Sequence, residues 1–180
     1  RIAVDMAEEG LISEKEAILQ VDPHLLTHVL AATFVESVKK AGKFLAKGLN
    51  AGPGAAYGRI AFTAKKAVEM AKEGKDVILV RTETSPEDVA GMYSAKGILT
   101  ARGGMTSHAA VVARGIGKPC VVGCGALQIN EEEGYMEIVG KRFKEGDFIS
   151  IDGTTGEVFE GQIPTQESEI LRIKIKKNLK

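Results

Sequence analysis

Apolar positions along the chain change their spacing twice. Over residues 1–32 they recur at helical intervals: Ile2, Met6 and Ala7 ahead of Gly10, then Ala17 and Leu19 behind a Ser13–Glu16 capping box. Asp22 and Pro23 open a third helical stretch carrying Leu25, Leu26, Val29 and Leu30. From Gly42 the period shortens to two, which predicts strands over 44–49 and 57–62 around the turn Gly52-Pro53-Gly54. Thr63 then caps a helix through Val68, Met70 and Ala71 that stops at Gly74.

The next stretch alternates strand and helix. The wholly apolar run at 77–80 suits a strand buried on both faces, 97–100 reads as a second buried strand and 120–122 as the next, while Ser85-Pro86 starts a short helix and 106–115 forms a compact one. Strands at 136–139, 148–152 and 157–159 follow, the last two joined by the hairpin Gly153-Thr154-Thr155-Gly156. This pattern predicts an α/β domain over 41–161, a helical connector over 1–40, and an exit linker over 162–180.

Composition narrows the function. Among 180 residues, 24 Lys and Arg balance 24 Asp and Glu, which removes the excess cation that a nucleic-acid or acidic-membrane partner needs. The basic tail 172–180 is too short to restore it. No run reaches the roughly 18 apolar residues of a membrane span, and no signal peptide opens the chain, so a cytoplasmic protein is expected. A chain that opens on Arg1 directly into a periodic segment reads as a piece of something longer. Cys120 and Cys124, with no second pair and no nearby His, predict reduced structural thiols and no metal site.

Candidate chemistry concentrates between Thr100 and Gly125, where glycines, hydroxyls and His108 sit at the join of a buried strand and a helix. Gly103 and Gly104 allow close approach of backbone N–H groups, Thr106 or Ser107 can cap the helix, and a cap is the simplest reading of Thr106. His108 then lies in the first turn, where the helix end favours an anion. From Val89 to Asn130 there are 42 consecutive residues without Asp or Glu, whereas Lys96, Arg102, Arg114 and Lys118 are cationic. That leaves no local acid to orient a general-base histidine or to complete a metal site, and suits a nucleophilic His108 that takes a phosphoryl group. The residues alone leave a second reading of His108 open, as a packed core residue beside Val111 and Val112. His24 and His28 read as a solvated helix face, Cys124 as a buried thiol, and the 52–58 glycines lack the Gly-Lys-Ser/Thr ending of a phosphate loop.

The run from Gly103 to Arg114, GGMTSHAAVVAR, resembles the phosphohistidine signature of the phosphoenolpyruvate-utilising enzymes. Met105 resembles the dikinase branch, since phosphoenolpyruvate synthase and enzyme I of the sugar phosphotransferase system typically have Gly-Gly-Arg before the Thr. The segments AKGLNAGPGAAYGRIAF, VILVRTETSPEDVAGMYSAKGILT, IGKPCVVGCG and RIAVDMAEEGLISEKEA are similar to the same branch. The resemblance implies a swivelling β/β/α phosphohistidine domain with helical connectors to an ATP-grasp nucleotide domain and a pyruvate-binding (β/α)8 barrel. It implies that His108 attacks the β-phosphorus of ATP, that inorganic phosphate takes the γ-phosphoryl as pyrophosphate, and that the phosphoryl left on His108 passes to pyruvate. It further implies supporting roles for Arg102, Gly103, Gly104, Thr106 and Ser107, and regulatory phosphorylation at Thr106. Mg²⁺ would be held by the other domains and the substrate phosphates, and the whole enzyme would be a homodimer. Two other readings stay beside this one: a water dikinase that loses the γ-phosphoryl to water, and a non-catalytic swivelling module.

Overall fold

The computed structural model describes residues 2–20 and 29–168. Helices α1 (Ile2–Glu8) and α2 (Glu14–Leu19) lead the chain, and the Ser13–Glu16 capping box is present in full. His24, His28, most of the third expected helix and residues 169–180 of the exit linker lie outside the described residues.

Next come strand β1 (Thr33–Phe34), helix α3 (Glu36–Ala41), and strands β2 (Lys43–Lys47), β3 (Leu49–Gly52) and β4 (Ala55–Ala61). The strand expected over 44–49 is therefore broken at Gly48. Its N–H donates to Gly156 O at 2.8 Å, and a Cβ there would stand 2.7 Å from Val122 O, so the backbones meet too closely for any side chain. The break has a topological cause. Strands β5 (Val77–Arg81), β6 (Gly97–Thr100), β7 (Cys120–Val122), β11 (Phe148–Asp152) and β12 (Glu157–Glu160) complete an eight-stranded sheet in the order β2-β12-β11-β4-β5-β6-β7-β3. Its two edges, β2 and β3, are consecutive in the chain, so the single run 43–52 closes the sheet on itself.

Strands β4, β5, β6 and β7 run parallel, and the remaining neighbours pair antiparallel. Parallel strands need crossovers, and helices α4 (Ala64–Lys72), α5 (Val89–Ser94) and α6 (His108–Gly115) supply them. Alternation along β5 divides the core. Val77 and Leu79 pack with Ala67, Met92 and Ala110 beneath the helices, and Ile78 and Val80 pack with Ile60, Phe62, Ile149 and Ile151 on the other side. That second core is covered by a smaller antiparallel sheet of β8 (Leu127–Asn130), β9 (Tyr135–Ile138) and β10 (Lys141–Lys144), which contributes Leu127, Met136, Ile138 and Phe143. The layers are thus β/β/α, as the resemblance implies. The strand expected at 136–139 ends one residue earlier, because Val139 and Gly140 form the tight turn into β10.

The two connectors meet. β1 pairs antiparallel with β13 (Thr165–Gln166), and Phe34, Ala55, Phe159 and Ile163 form a small separate core beneath this ribbon. Ala55 N donates to Ala32 O at 2.9 Å, which places the ribbon at the amino ends of the parallel strands.

Candidate functional site

His108 stands at the carboxyl end of β6, at the first position of α6. The Thr100–Ser107 loop that delivers it is held by backbone bonds to both neighbouring strands' exits. Ala101 N and Arg102 N donate to Arg81 O and Thr82 O at 3.1 and 2.9 Å, and Cys124 N donates to Thr100 O at 3.0 Å. The Thr100 hydroxyl donates to Arg102 O at 2.6 Å. Gly103 takes φ +103°, a conformation that excludes a side chain, and its carbonyl lies where a Cβ on Gly123 would stand only 2.6 Å away.

Ser107, not Thr106, is the cap. Its hydroxyl accepts from Ala110 N at 3.4 Å, and its own N–H donates to Gly104 O at 3.0 Å, a turn that leaves Thr106 exposed outside the helix. The reading of Thr106 as a cap is corrected on this geometry. His108 still falls in the first turn, where unpaired N–H groups carry the positive end of the helix dipole. The Arg114 guanidinium donates to Met105 O at 2.8 Å and Ala51 O at 3.2 Å, tying the loop to β3.

One ring nitrogen of His108 is already engaged. Thr84 Oγ1 lies 2.9 Å from Nδ1, and Thr84 sits in the loop leaving β5. This residue is absent from the sequence expectations: it is 24 positions upstream, and only the rule that ligands gather at the carboxyl ends of parallel strands points to its loop. In the tautomer in which Nδ1 donates to the Thr84 hydroxyl, Nε2 carries the lone pair. His108 is half-buried.

Arg102, expected to support a phosphate, is three-quarters exposed and pairs with Glu83 at 3.8 Å. The acid-free stretch in sequence is therefore not free of acid in space, since the β5 loop brings Glu83 to its rim. Gly104 lies in open space, so nothing around it forbids a Cβ. Both cysteines are buried: Cys120 faces the helical core and Cys124 the opposite one. Burial pushes their thiols up to about 12 and about 11, which makes Cys124 a poor nucleophile. Among the described residues no group of three or more His, Cys, Asp or Glu could hold a metal ion. No helix among them is long and apolar enough to cross a membrane. A cleft lined by Ala32, Tyr57, Asp76, Lys96, Lys118 and Thr165 lies at the opposite end of the strands from His108.

Residues 73–156 match the family described as PEP-utilising enzyme, mobile domain. The chain is 51% identical over 170 residues to a pyruvate, phosphate dikinase of Clostridium symbiosum, covering 94% of this chain and 20% of that one. It is 53% identical over 170 residues to the dikinase of Giardia intestinalis, covering 94% and 19%. With pyruvate, phosphate dikinase 2 of Oryza sativa subsp. japonica it shares 53% over 164 residues, covering 91% and 18%. The chain spans about a fifth of the length of these relatives. A solution structure of an enzyme I protein aligns at 28% identity over 57% of this chain and 36% of that one, with a TM-score of 0.34.

Proposed function

Because the chain belongs to the PEP-utilising enzymes, with their mobile domain at residues 73–156, we propose that it is the phosphohistidine carrier of a pyruvate, phosphate dikinase. The reaction is ATP, pyruvate and phosphate to AMP, phosphoenolpyruvate and pyrophosphate. The observation that carries this reading is the 2.9 Å bond between Thr84 Oγ1 and His108 Nδ1 at the start of α6. With Nδ1 as the donor, the Thr84 hydroxyl accepts its hydrogen bond and Nε2 is left as the free nucleophile.

The chemistry follows from that arrangement. Nε2 attacks the β-phosphorus of ATP, the N–P bond forms as the bond to AMP breaks, and the ring becomes a cation still protonated at Nδ1. Thr84 accepts the Nδ1 proton more strongly in that charged state, and the helix end favours the phosphoryl oxygens. Inorganic phosphate then removes the terminal phosphoryl as pyrophosphate, and pyruvate takes the remaining one, returning the ring to neutrality. Gly103 and Ser107 hold the loop geometry, and Arg102 and Gly104 line its open side. Thr106, exposed two residues from His108, is placed where a phosphate would repel the incoming nucleotide, which supports it as a regulatory site. The partners are an ATP-grasp domain and a pyruvate-binding barrel in a cytoplasmic homodimer. Mg²⁺ belongs to those domains and to the substrate phosphates.

The test uses a full-length enzyme carrying this domain, β-labelled ATP and Mg²⁺, with and without phosphate. Acid-labile, base-stable label that is lost in His108→Asn is expected, with phosphate driving pyrophosphate release. A folded, nucleotide-binding enzyme that takes up no such label would return His108 to a packing role. Release of free phosphate without any need for added phosphate would instead make it a water dikinase.

A further inference from the structure

Strand β5 ends at Arg81, whose side chain is four-fifths buried and serves three elements at once. Nη1 donates to Phe62 O at 3.0 Å, at the exit of β4, and to the Glu131 carboxylate on the turn between β8 and β9. Nε lies 3.3 Å from Asp88 Oδ1 but makes no hydrogen bond. The fork is thus oriented by Phe62 and Glu131, and Asp88 is held by charge.

Both carboxylates use their remaining oxygen on the loop that carries Thr84. Glu131 Oε1 accepts from Thr82 N at 3.1 Å, and Asp88 Oδ2 accepts from Ser85 N at 2.9 Å. Thr84 lies between these two anchored residues. Asp88 and Glu131 are also the acids that bound the 42-residue stretch without Asp or Glu, so the negative charges nearest that stretch in sequence converge on one guanidinium.

From this juxtaposition we propose that Arg81 is a positioning residue for His108. By holding Asp88 and Glu131 it fixes the 82–88 loop, sets the Thr84 hydroxyl against Nδ1, and keeps two carboxylates from meeting a phosphoryl group unneutralised. Lysine could supply the charge but not the extent of the group, since Nη1 takes Phe62 O and Glu131 while Nε faces Asp88, and one ammonium nitrogen cannot stand at both places. The proposal rests on the carrier reading above for its phosphoryl group, but not for the ring geometry it predicts.

The whole chain is treated with phosphoramidate, which needs no partner domain: a histidine nitrogen forms a bond to phosphorus, the donor's P–N bond breaks, and ammonia leaves. Rate and site of labelling are read by ³¹P NMR, and the His108 ring by its ¹⁵N shifts, in the wild type, Arg81→Gln, Arg81→Lys and Glu131→Gln. Folding is checked by circular dichroism. In Arg81→Gln, labelling is expected to slow roughly tenfold, with Nδ1 product appearing beside Nε2 product and the ring ¹⁵N shifts moving. Arg81→Lys recovers part of the rate. Should Arg81→Gln not fold, Glu131→Gln, which removes one exposed-side anchor, carries the test with a smaller change of the same kind. Folded variants that label at the wild-type rate, only at Nε2 and with unchanged ¹⁵N shifts would overturn the role of Arg81 and leave the carrier reading intact. Failure of wild-type His108 to label in preference to His24 and His28 would sink the carrier reading instead, and the ¹⁵N shifts would still judge Arg81.

Discussion

Replacing Thr84 by Val removes the hydroxyl 2.9 Å from His108 Nδ1 and little else, because the two side chains have nearly the same shape. In the resting protein the bond joins two neutral groups and is worth about 1 kcal/mol net. Once Nε2 carries phosphorus the ring is a cation, and the same bond becomes charge-assisted, worth about 1.5–3 kcal/mol. Only the difference slows the reaction, because the ground-state part is lost from both sides. Thr84 and His108 are both half-buried, so water replaces part of the bond and the lower half of that range, about 2 kcal/mol, applies. A differential of about 1 kcal/mol corresponds to roughly fivefold in rate. The second consequence is qualitative: with no acceptor fixing the proton on Nδ1, both nitrogens compete for phosphorus. The assay is phosphoramidate labelling with ³¹P NMR assignment of the two phosphohistidine isomers. Thr84→Val should label about fivefold more slowly and give a mixture, whereas Thr84→Ser, which keeps the hydroxyl, should resemble the wild type. An unchanged rate with Nε2 product alone would refute the assignment of Thr84 as the group that selects the nitrogen.

Two further expectations concern the scaffold. Val139 holds φ +50° at 70% exposure in the two-residue turn from β9 to β10, where a β-branched residue is disfavoured and Asn-Gly is preferred; Val139→Asn should stabilise the fold by about 1 kcal/mol in urea unfolding, and a loss of stability would contradict the strain. Lys39 bonds Asp152 at 2.5 Å and Glu157 at 2.7 Å; burial pushes its ammonium down, but these two partners outweigh burial and raise it overall, while its hydrogen bond holds Glu157 below the usual carboxylate range. The depressed Glu157 contributes stability above the unfolded pKa and loses it as pH falls through the folded one. The stability gap between wild type and Lys39→Met should therefore be full at neutral pH and shrink below about pH 4; a gap that stays constant down to pH 2 would show that the pair contributes nothing.

The sequence was most informative where one physical pattern had one solution. Runs such as 77–80 and 120–122 are apolar at every position, which only a strand covered on both sides accommodates, and all seven residues are buried. Thr63 caps α4 and Ser13–Glu16 caps α2 because those side-chain bonds are local. It was least informative where partners are remote. β10 reads Lys-Arg-Phe-Lys, with Phe143 alone facing the core, and is a strand only because β9 lies beside it. Gly48 is a seam only because Val122 and Gly156 arrive there. At the site, His108 was legible from its signature. The choice between adjacent hydroxyls at 106 and 107 was not, since the Ser107 N to Gly104 O turn decides it. Thr84 and Arg81 carry no local pattern at all; their roles exist only when the β5 loop, the β8–β9 turn and α6 converge.

The placement of the connectors bears directly on how such a carrier can move. His108 sits at the carboxyl ends of the parallel strands, and the β1–β13 ribbon at their amino ends, beside Ala55. β4 runs seven residues from that point, roughly 20 Å at about 3.3 Å per residue. Rotation about the ribbon end therefore swings the histidine on an arm of roughly 20 Å, and a turn of about 60° displaces it by a similar distance with no change inside the domain. The root of the arm is stiff. Phe34, Ala55, Phe159 and Ile163 pack beneath the ribbon, and Lys39 clamps α3 to the turn that joins β11 and β12. A pivot inside this cluster would have to break it at every cycle. For the carrier role proposed here, the domain must then turn as one body with this cluster intact, so that the phosphoryl group travels while Thr84, Arg81 and the helix end travel with it.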